Sequence, residues 1–144
     1  MVTTVKREDF TFLVVDDFST MRRIIGGLLR EIGFKKILEA ENGLMALRQL
    51  ELSAESGEPI HFVLSDVNMP EMNGFELLEA IQSKPAESPL RKVPILLVTA
   101  EGRKDDILRA AKGGACGYVV KPFNKETLAD KIHLALKHRA ILVE

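Results

Sequence analysis

The sequence predicts an α/β fold, with a five-stranded parallel sheet and helices on both of its faces. Short apolar runs that contain β-branched residues alternate with longer stretches in which apolar residues recur at helical spacing. Five such strand and helix pairs follow one another, and this order is typical of βαβ units. The chain has 144 residues, the usual size of one compact domain. We therefore expect a single domain.

Five apolar runs are predicted as strands. The first, third and fourth are nearly all apolar, as expected of strands that are covered on both faces. The predicted strands span residues 12–15, 36–39, 62–65, 95–99 and 117–120.

Five amphipathic segments between and after the strands are predicted as helices. The first has an apolar stripe that ends at Ile32, with Ser19 or Thr20 as its N-cap and Gly33 as its C-terminal stop. Two segments rich in Ser, Gly or Pro are predicted as loops, residues 53–59 and 83–94. The other helices are expected over residues 43–52, after Asn73, over residues 104–112, and from near Asn124.

Composition excludes several classes of protein. The formal net charge is -1, so no charge excess favours nucleic acid or a membrane surface as partner. Cys116 is the only cysteine, which excludes an internal disulfide and fits a reducing compartment. No signal sequence opens the chain, and no apolar run approaches the roughly 20 residues that span a bilayer. We expect a monomeric cytoplasmic protein.

Polar side chains follow the predicted strands where each strand ends. Asp16 and Asp17 follow the first strand, Asp66 follows the third, Thr99 ends the fourth and Lys121 follows the fifth. Ligands of open parallel sheets bind beyond the carboxyl ends of the strands. We therefore expect these five side chains to converge at one edge of the sheet.

Three converging carboxylates would repel one another unless a cation joined them. Hard oxygen ligands without nearby His or Cys favour Mg²⁺. A carboxylate can also attack phosphorus to give an acyl phosphate, provided that the charge on the transferring oxygens is neutralised. A metal ion, the Lys121 ammonium and the Thr99 hydroxyl would provide that neutralisation.

Four stretches at these strand ends resemble the response-regulator receiver domain, and in particular its single-domain chemotaxis members. They are FLVVDDFSTMRRI from Phe12, SDVNMP from Ser65, VTAE from Val98 and GYVVKPF from Gly117. The resemblance implies a receiver domain over residues 9–138, with terminal extensions at residues 1–8 and 139–144. It also implies the flavodoxin-like strand order 2-1-3-4-5, which comes from the family and not from the residues themselves.

The resemblance assigns roles to the residues at the strand ends. Asp66 would be the phosphoryl acceptor, and Lys121 would contact the phosphoryl group. Asp16, Asp17 and Asp66 would hold Mg²⁺ together with the backbone carbonyl of Asn68.

Other positions acquire roles in the same way. Thr99 and Tyr118 would form a switch pair that reshapes the face made by the fourth helix, the fifth strand and the fifth helix. The peptide between Lys121 and Pro122 is expected to be cis, since cis costs little only before proline.

Two further positions follow the chemotaxis pattern, and one departs from it. Asn68 and Glu101 lie two residues past the acceptor and two past the switch Thr, where family members tune dephosphorylation; here they imply a short-lived signal. Val67 stands where chemotaxis relatives often carry Trp.

The resemblance implies a chemotaxis response regulator. A sensor histidine kinase would phosphorylate Asp66, and the phosphorylated protein would bind the flagellar motor switch to change rotation. A dedicated phosphatase is a further expected partner. We expect a signalling switch that catalyses only its own phosphorylation and dephosphorylation.

Two other functions compete with this one. A single-domain phosphorelay intermediate would pass its phosphoryl group to a histidine phosphotransfer protein; the chemotaxis pattern at Asn68, Glu101 and Tyr118 argues against it. A phosphohydrolase with an Asp nucleophile would also use Mg²⁺, Thr and Lys. That class needs Asp-x-Asp after its first strand, whereas Asp16 and Asp17 are adjacent.

Overall fold

The computed structural model describes residues 2–100 and 102–144. This part of the chain forms seven β-strands and five α-helices, with 3-10 turns at Arg7–Asp9 and Pro89–Lys92. The strands are β1 (Thr3–Val5), β2 (Thr11–Val15), β3 (Lys36–Ala40), β4 (Phe62–Asp66), β5 (Ile95–Thr99), β6 (Gly117–Val120) and β7 (Ile141–Val143). The helices are α1 (Ser19–Ile32), α2 (Gly43–Ser56), α3 (Gly74–Gln82), α4 (Lys104–Lys112) and α5 (Lys125–His138).

Five strands form one parallel sheet in the order β3-β2-β4-β5-β6. Because β1 lies outside this sheet, the arrangement confirms the predicted order 2-1-3-4-5. Side chains alternate along a strand, so Leu13 and Val15 join the core under α2, α3 and α4. Phe12 and Val14 join the core under α1 and α5. The carboxyl ends of all five strands therefore lie at one edge.

The start of α1 differs from the prediction. The N-cap is Phe18, and Ser19 is already the first helical residue. The Phe18 N–H donates to Oδ1 of Asp16 at 2.9 Å, so the carboxylate before the helix turns the chain one residue early. The predicted stop at Gly33 is confirmed, because this residue has a φ of 117°.

Helix α2 is longer than predicted, so the loop expected at residues 53–59 is wrong in its first part. The Ser53 hydroxyl donates to the Leu50 carbonyl at 2.7 Å, and the Ser56 hydroxyl donates to the Ser53 carbonyl at 3.4 Å. These serines bond to their own helix instead of breaking it. Gly57, with a φ of 77°, then follows the last turn.

The other helices begin where predicted. Asn73 caps α3 with a capping box that includes Glu76, and the Asn124 side chain accepts from the Thr127 N–H at the start of α5. Within residues 2–100 and 102–144, no helix has both the length and the apolar character that crossing a membrane requires.

The two terminal segments pair with each other. Strands β1 and β7 form a separate parallel sheet in which Thr3 is opposite Ile141 and Val5 is opposite Val143. The Thr3 N–H donates to the Ala140 carbonyl, and the Glu144 N–H donates to the Val5 carbonyl, both at 2.9 Å. The segments predicted as terminal extensions are therefore joined beside α5.

The glycine pair in α1 gives a first testable prediction. A Cβ on Gly27 would meet nothing within 4 Å, whereas one on Gly26 would lie 3.4 Å from the Arg30 guanidinium. We expect Gly27→Ala to raise the free energy of unfolding by about 0.5–1 kcal/mol, because alanine loses less backbone entropy in a helix. Urea unfolding measures this gain, and an unchanged or lower midpoint would contradict the open space at Gly27.

His61 gives a pH-dependent prediction at the opposite edge of the sheet. Its Nδ1 accepts from the Thr11 N–H at 3.0 Å, and its ring stacks on Phe10. Burial lowers the pKa of His61, the positive charge of Lys36 lowers it further, and Asp9 opposes them. The neutral ring therefore stabilises the fold above the ordinary pKa of about 6.5, and this contribution is lost as the pH falls through the lower folded value.

We expect wild type to lose more thermal stability than His61→Asn between pH 7 and pH 5, because asparagine keeps an acceptor without titrating in this range. Thermal melts at both pH values measure the difference, and His138→Asn at the end of α5 is the control. An equal loss in wild type and His61→Asn would count against the Nδ1 contact.

Candidate functional site

Three carboxylates meet at the carboxyl edge of the sheet. Asp16 and Asp17 follow β2, and Asp66 is the last residue of β4. One oxygen from each lies within 4.8 Å of the others. Asp16 is fully buried and Asp66 is 7% exposed, so the repulsion between them is poorly screened by water. The structure thus brings together the acids that the sequence placed at separate strand ends.

Lys121 supplies the positive charge of this cluster. Its Nζ lies 3.3 Å from Oδ2 of Asp16 and 3.5 Å from Oδ1 of Asp66. The backbone N–H of Lys121 donates to the Thr99 carbonyl at 2.8 Å, which fixes Lys121 at the end of β5. The peptide between Lys121 and Pro122 is cis, which confirms the expectation.

Asp16 is held by a residue that the sequence analysis did not single out. Nη1 of Arg22 donates to the Asp16 carbonyl at 2.7 Å, and its Nε lies 2.8 Å from Oε1 of Glu39 on β3. Arg22 lies within the FLVVDDFSTMRRI stretch, one turn into α1, so its spacing from Asp16 was a usable signal. The guanidinium joins the start of α1 to the edge strand and fixes the backbone of the acidic pair.

Asp66 is held by backbone groups of the loop that follows it. The Val67 N–H donates to Oδ1 of Asp66 at 2.8 Å, and the Gly74 N–H donates to the Val67 carbonyl at 2.9 Å. A Cβ on Gly74 would lie 2.5 Å from the Asp66 carbonyl oxygen, so α3 begins too close to β4 for any side chain there. The only sequence signal for this approach was a glycine in the first turn of a helix.

Burial raises the pKa of Asp66. The Lys121 charge acts against this rise, and the neighbouring charge of Asp16 adds to it. Ionisation of Asp66 therefore costs more free energy in the folded protein than in the unfolded chain. A cation bound among the acids would lower that cost.

The oxygen atoms of the cluster fit a bound cation. Oδ1 of Asp17 is buried and has no hydrogen-bond partner among the described residues. A buried carboxylate oxygen without a donor is costly, and a metal ion would satisfy it. The donors are all carboxylate oxygens, which suits a hard divalent cation.

Thr99 and Tyr118 both line one small cavity. The cavity has a volume of about 10 Å³ and is also lined by Ile107 and Ala110 of α4. Thr99 is buried and Tyr118 is half-buried. Nζ of Lys131 on α5 lies 5.0 Å from the centre of the Tyr118 ring, within range of a cation–π contact. The predicted switch pair therefore borders α4 and α5.

The two residues predicted to tune dephosphorylation differ in what the structure shows. Asn68 is exposed in the loop between β4 and α3. Glu101 lies outside the described residues.

Comparison with known proteins places these features in a family. The family model for the response regulator receiver domain matches residues 12–133. Chemotaxis protein CheY of Pseudomonas aeruginosa is 48% identical over 120 residues, which cover 83% of this chain and 90% of that protein. Chemotaxis protein CheY-3 of Vibrio cholerae is 44% identical over 125 residues, which cover 87% of this chain and 90% of that protein.

Solved structures show the same fold. The chemotaxis response regulator CheY4 of Vibrio cholerae aligns with a TM-score of 0.73 at 29% identity, covering 94% of this chain and 99% of that chain. A response regulator receiver domain protein from Clostridium thermocellum aligns with a TM-score of 0.74 at 28% identity, covering 90% of this chain and 96% of that chain. From the family match, the identities and the fold together, the chain belongs to the response regulator receiver domain family.

Proposed function

We propose that this protein is a chemotaxis response regulator that accepts a phosphoryl group on Asp66 in a Mg²⁺-dependent reaction. The observation that carries the proposal is the position of the Asp66 carboxylate, grouped with Asp16 and Asp17 within 4.8 Å and lying 3.5 Å from Nζ of Lys121. The curated relatives are chemotaxis proteins at 44% and 48% identity, which supports the chemotaxis assignment.

The chemistry follows from the placement of the charges. An oxygen of Asp66 attacks phosphorus and forms an acyl phosphate, while the bond between phosphorus and the donor's leaving group breaks on the opposite side and its electron pair departs with that group. Asp16, Asp17, Asp66 and the Asn68 carbonyl would hold Mg²⁺, which when bound neutralises charge on the phosphoryl oxygens. The Lys121 ammonium donates to a second phosphoryl oxygen, and the Thr99 hydroxyl donates to the third.

The new phosphoryl group acts as the signal. It adds about two negative charges beside Thr99 and Lys121, and charge-assisted hydrogen bonds then bias the loop that carries Thr99. Tyr118, which lines the same small cavity as Thr99, couples this change to α4, β6 and α5. That face exposes Leu108, Val120 and Leu134 at 49%, 37% and 59%, which supports its use in docking.

The other parts of the proposal concern partners and context. A sensor histidine kinase donates the phosphoryl group, the flagellar motor switch binds the phosphorylated form, and a separate phosphatase removes the signal. Asn68 and Glu101 set the lifetime of the acyl phosphate. The receiver domain spans residues 9–138 and acts in the cytoplasm as a switch, catalysing only its own phosphorylation and dephosphorylation.

Incubation with Mg²⁺ and acetyl phosphate, followed by an acid quench and peptide mass spectrometry, tests the chemistry. We expect one phosphoryl group on the peptide that contains Asp66, and none when EDTA replaces Mg²⁺. Binding of the phosphorylated protein to a flagellar switch protein, compared with transfer to a histidine phosphotransfer protein, then tests the partner. No incorporation under conditions that label a control receiver would rule the proposal out.

A further inference from the structure

A polar cavity of about 340 Å³ lies between the loop after β4 and helix α4. Val67 and Asn68, which directly follow Asp66, line it, and so does Thr99 at the end of β5. Val67 has a small side chain, which leaves room in the cavity that it lines. The cavity therefore lies beside the residues that follow the acceptor Asp66, on the side of α4.

The charges around this cavity favour an anion. Among the described residues that line it, Arg103 and Arg109 are cationic and Asp106 is the single acid. The Arg109 guanidinium lies 4.3 Å from the centre of the Phe75 ring, which also lines the cavity, so the ring orients it. Arg109 also lies 3.6 Å from Oε1 of Glu79, but the Glu79 side chain is 66% exposed, and such a pair is weak.

We propose that this cavity receives the leaving group of a small phosphoryl donor, and that Arg109 gives a preference for donors whose leaving group is anionic. The inference rests on the transfer to Asp66 proposed above. With an acyl phosphate, an Asp66 oxygen bonds to phosphorus while the bond between phosphorus and the donor's acyl oxygen breaks. The bonding electron pair leaves on that oxygen, so the departing carboxylate carries a negative charge next to Arg109.

A donor with a neutral leaving group separates this effect from other effects on the acceptor. Phosphoramidate loses its P–N bond and releases ammonia, which leaves without charge. Changes in Mg²⁺ binding or in Asp66 itself alter the rate constants with both donors. The charge of the cavity alters mainly the rate constant with the acyl donor, because only that donor has an anionic leaving group. The ratio of the rate constants for acetyl phosphate and phosphoramidate therefore reports the charge that faces the leaving group.

The test measures the second-order rate constant of Asp66 phosphorylation with each donor by quenched intact-protein mass spectrometry. Arg109→Gln removes the cation, and we expect the ratio to fall about threefold or more, as the loss of one nearby charge predicts. Asp106→Asn removes the acid of the same cavity, and we expect the ratio to rise. Arg48→Gln on α2 is the matched charge control and leaves the ratio unchanged.

The opposite signs of the two variants make the test specific, because distortion of α4 would not reverse with the sign of the charge removed. Equal ratios in wild type, Arg109→Gln and Asp106→Asn, with both donors active, would overturn the leaving-group site and leave transfer to Asp66 intact. Failure of the wild-type protein to accept phosphate from either donor would overturn both.

Discussion

Replacement of Asp66 by asparagine is expected to abolish phosphorylation and, in the absence of Mg²⁺, to raise thermal stability at neutral pH. The first effect follows because an amide is a poor nucleophile towards phosphorus. The second follows because asparagine has a similar shape but carries no buried charge beside Asp16. Intact-protein mass spectrometry with acetyl phosphate measures the first effect, and calorimetry measures the second.

The gain in stability should depend on pH in a definite direction. The folded pKa of Asp66 lies above its ordinary value of 3.8, chiefly because the carboxyl is buried. Ionisation of Asp66 therefore lowers the stability of wild type as the pH rises from the unfolded pKa through the folded one, and the full cost is present above the folded pKa. The difference in melting temperature between Asp66→Asn and wild type should be greatest near pH 7 and vanish below pH 3.8.

Asp130→Asn on α5 is the control, since it removes an exposed carboxylate that is not part of the cluster. The melting temperature of Asp130→Asn should differ little from that of wild type, both at pH 7 and below pH 3.8. A lower melting temperature for Asp66→Asn at pH 7 would show that the contact with Lys121 outweighs the cost of burying Asp66. Phosphorylation that persists in Asp66→Asn would place the acceptor elsewhere.

The second large effect is expected from Gly74→Ala. A Cβ at this position would lie 2.5 Å from the Asp66 carbonyl oxygen and 3.1 Å from Cα of Val67. Both neighbours are backbone atoms, so no side-chain rotation relieves the clash, and the loop after β4 must move. We expect a loss of about 1–3 kcal/mol or more in unfolding free energy and a slower phosphorylation of Asp66.

Gly27→Ala is the matched control for this prediction. Both substitutions place an alanine in a helix, where alanine is favoured over glycine by about 1 kcal/mol. Gly27→Ala should therefore stabilise the protein and leave phosphorylation unchanged, whereas Gly74→Ala should do the opposite. Urea unfolding and phosphorylation kinetics measure both variants, and a stabilised, fully active Gly74→Ala would disprove the close approach of α3 to β4.

The sequence predicts the sheet and the acidic cluster well because both depend on local patterns. Each buried strand is an apolar run, and the carboxyl ends of parallel strands must share an edge, so Asp16, Asp66 and Lys121 could be placed together before any coordinates. The strand order was obtained only through the family resemblance, since the apolar pattern does not specify which strands are neighbours.

The features that the sequence did not predict depend on particular hydrogen bonds and contacts that the apolar pattern does not specify. The N-cap of α1 shifted because the Asp16 carboxylate accepts from the Phe18 N–H, and α2 continued because the hydroxyls of Ser53 and Ser56 bond to carbonyls of their own helix. The importance of Gly74 depends on where β4 lies. The strands β1 and β7 have three residues each, too few for periodicity, and each forms only by pairing with the other.

The parallel pairing of β1 and β7 determines how the fold would respond to mechanical force. Tension applied through the N-terminal end of β1 and the C-terminal end of β7 pulls at opposite ends of the pair, because parallel strands run in the same direction. The hydrogen bonds from Thr3 to Ala140 and from Glu144 to Val5, and the one from Arg7 to Glu144, are then loaded together in shear. They must break together before the force reaches the sheet that carries Asp66.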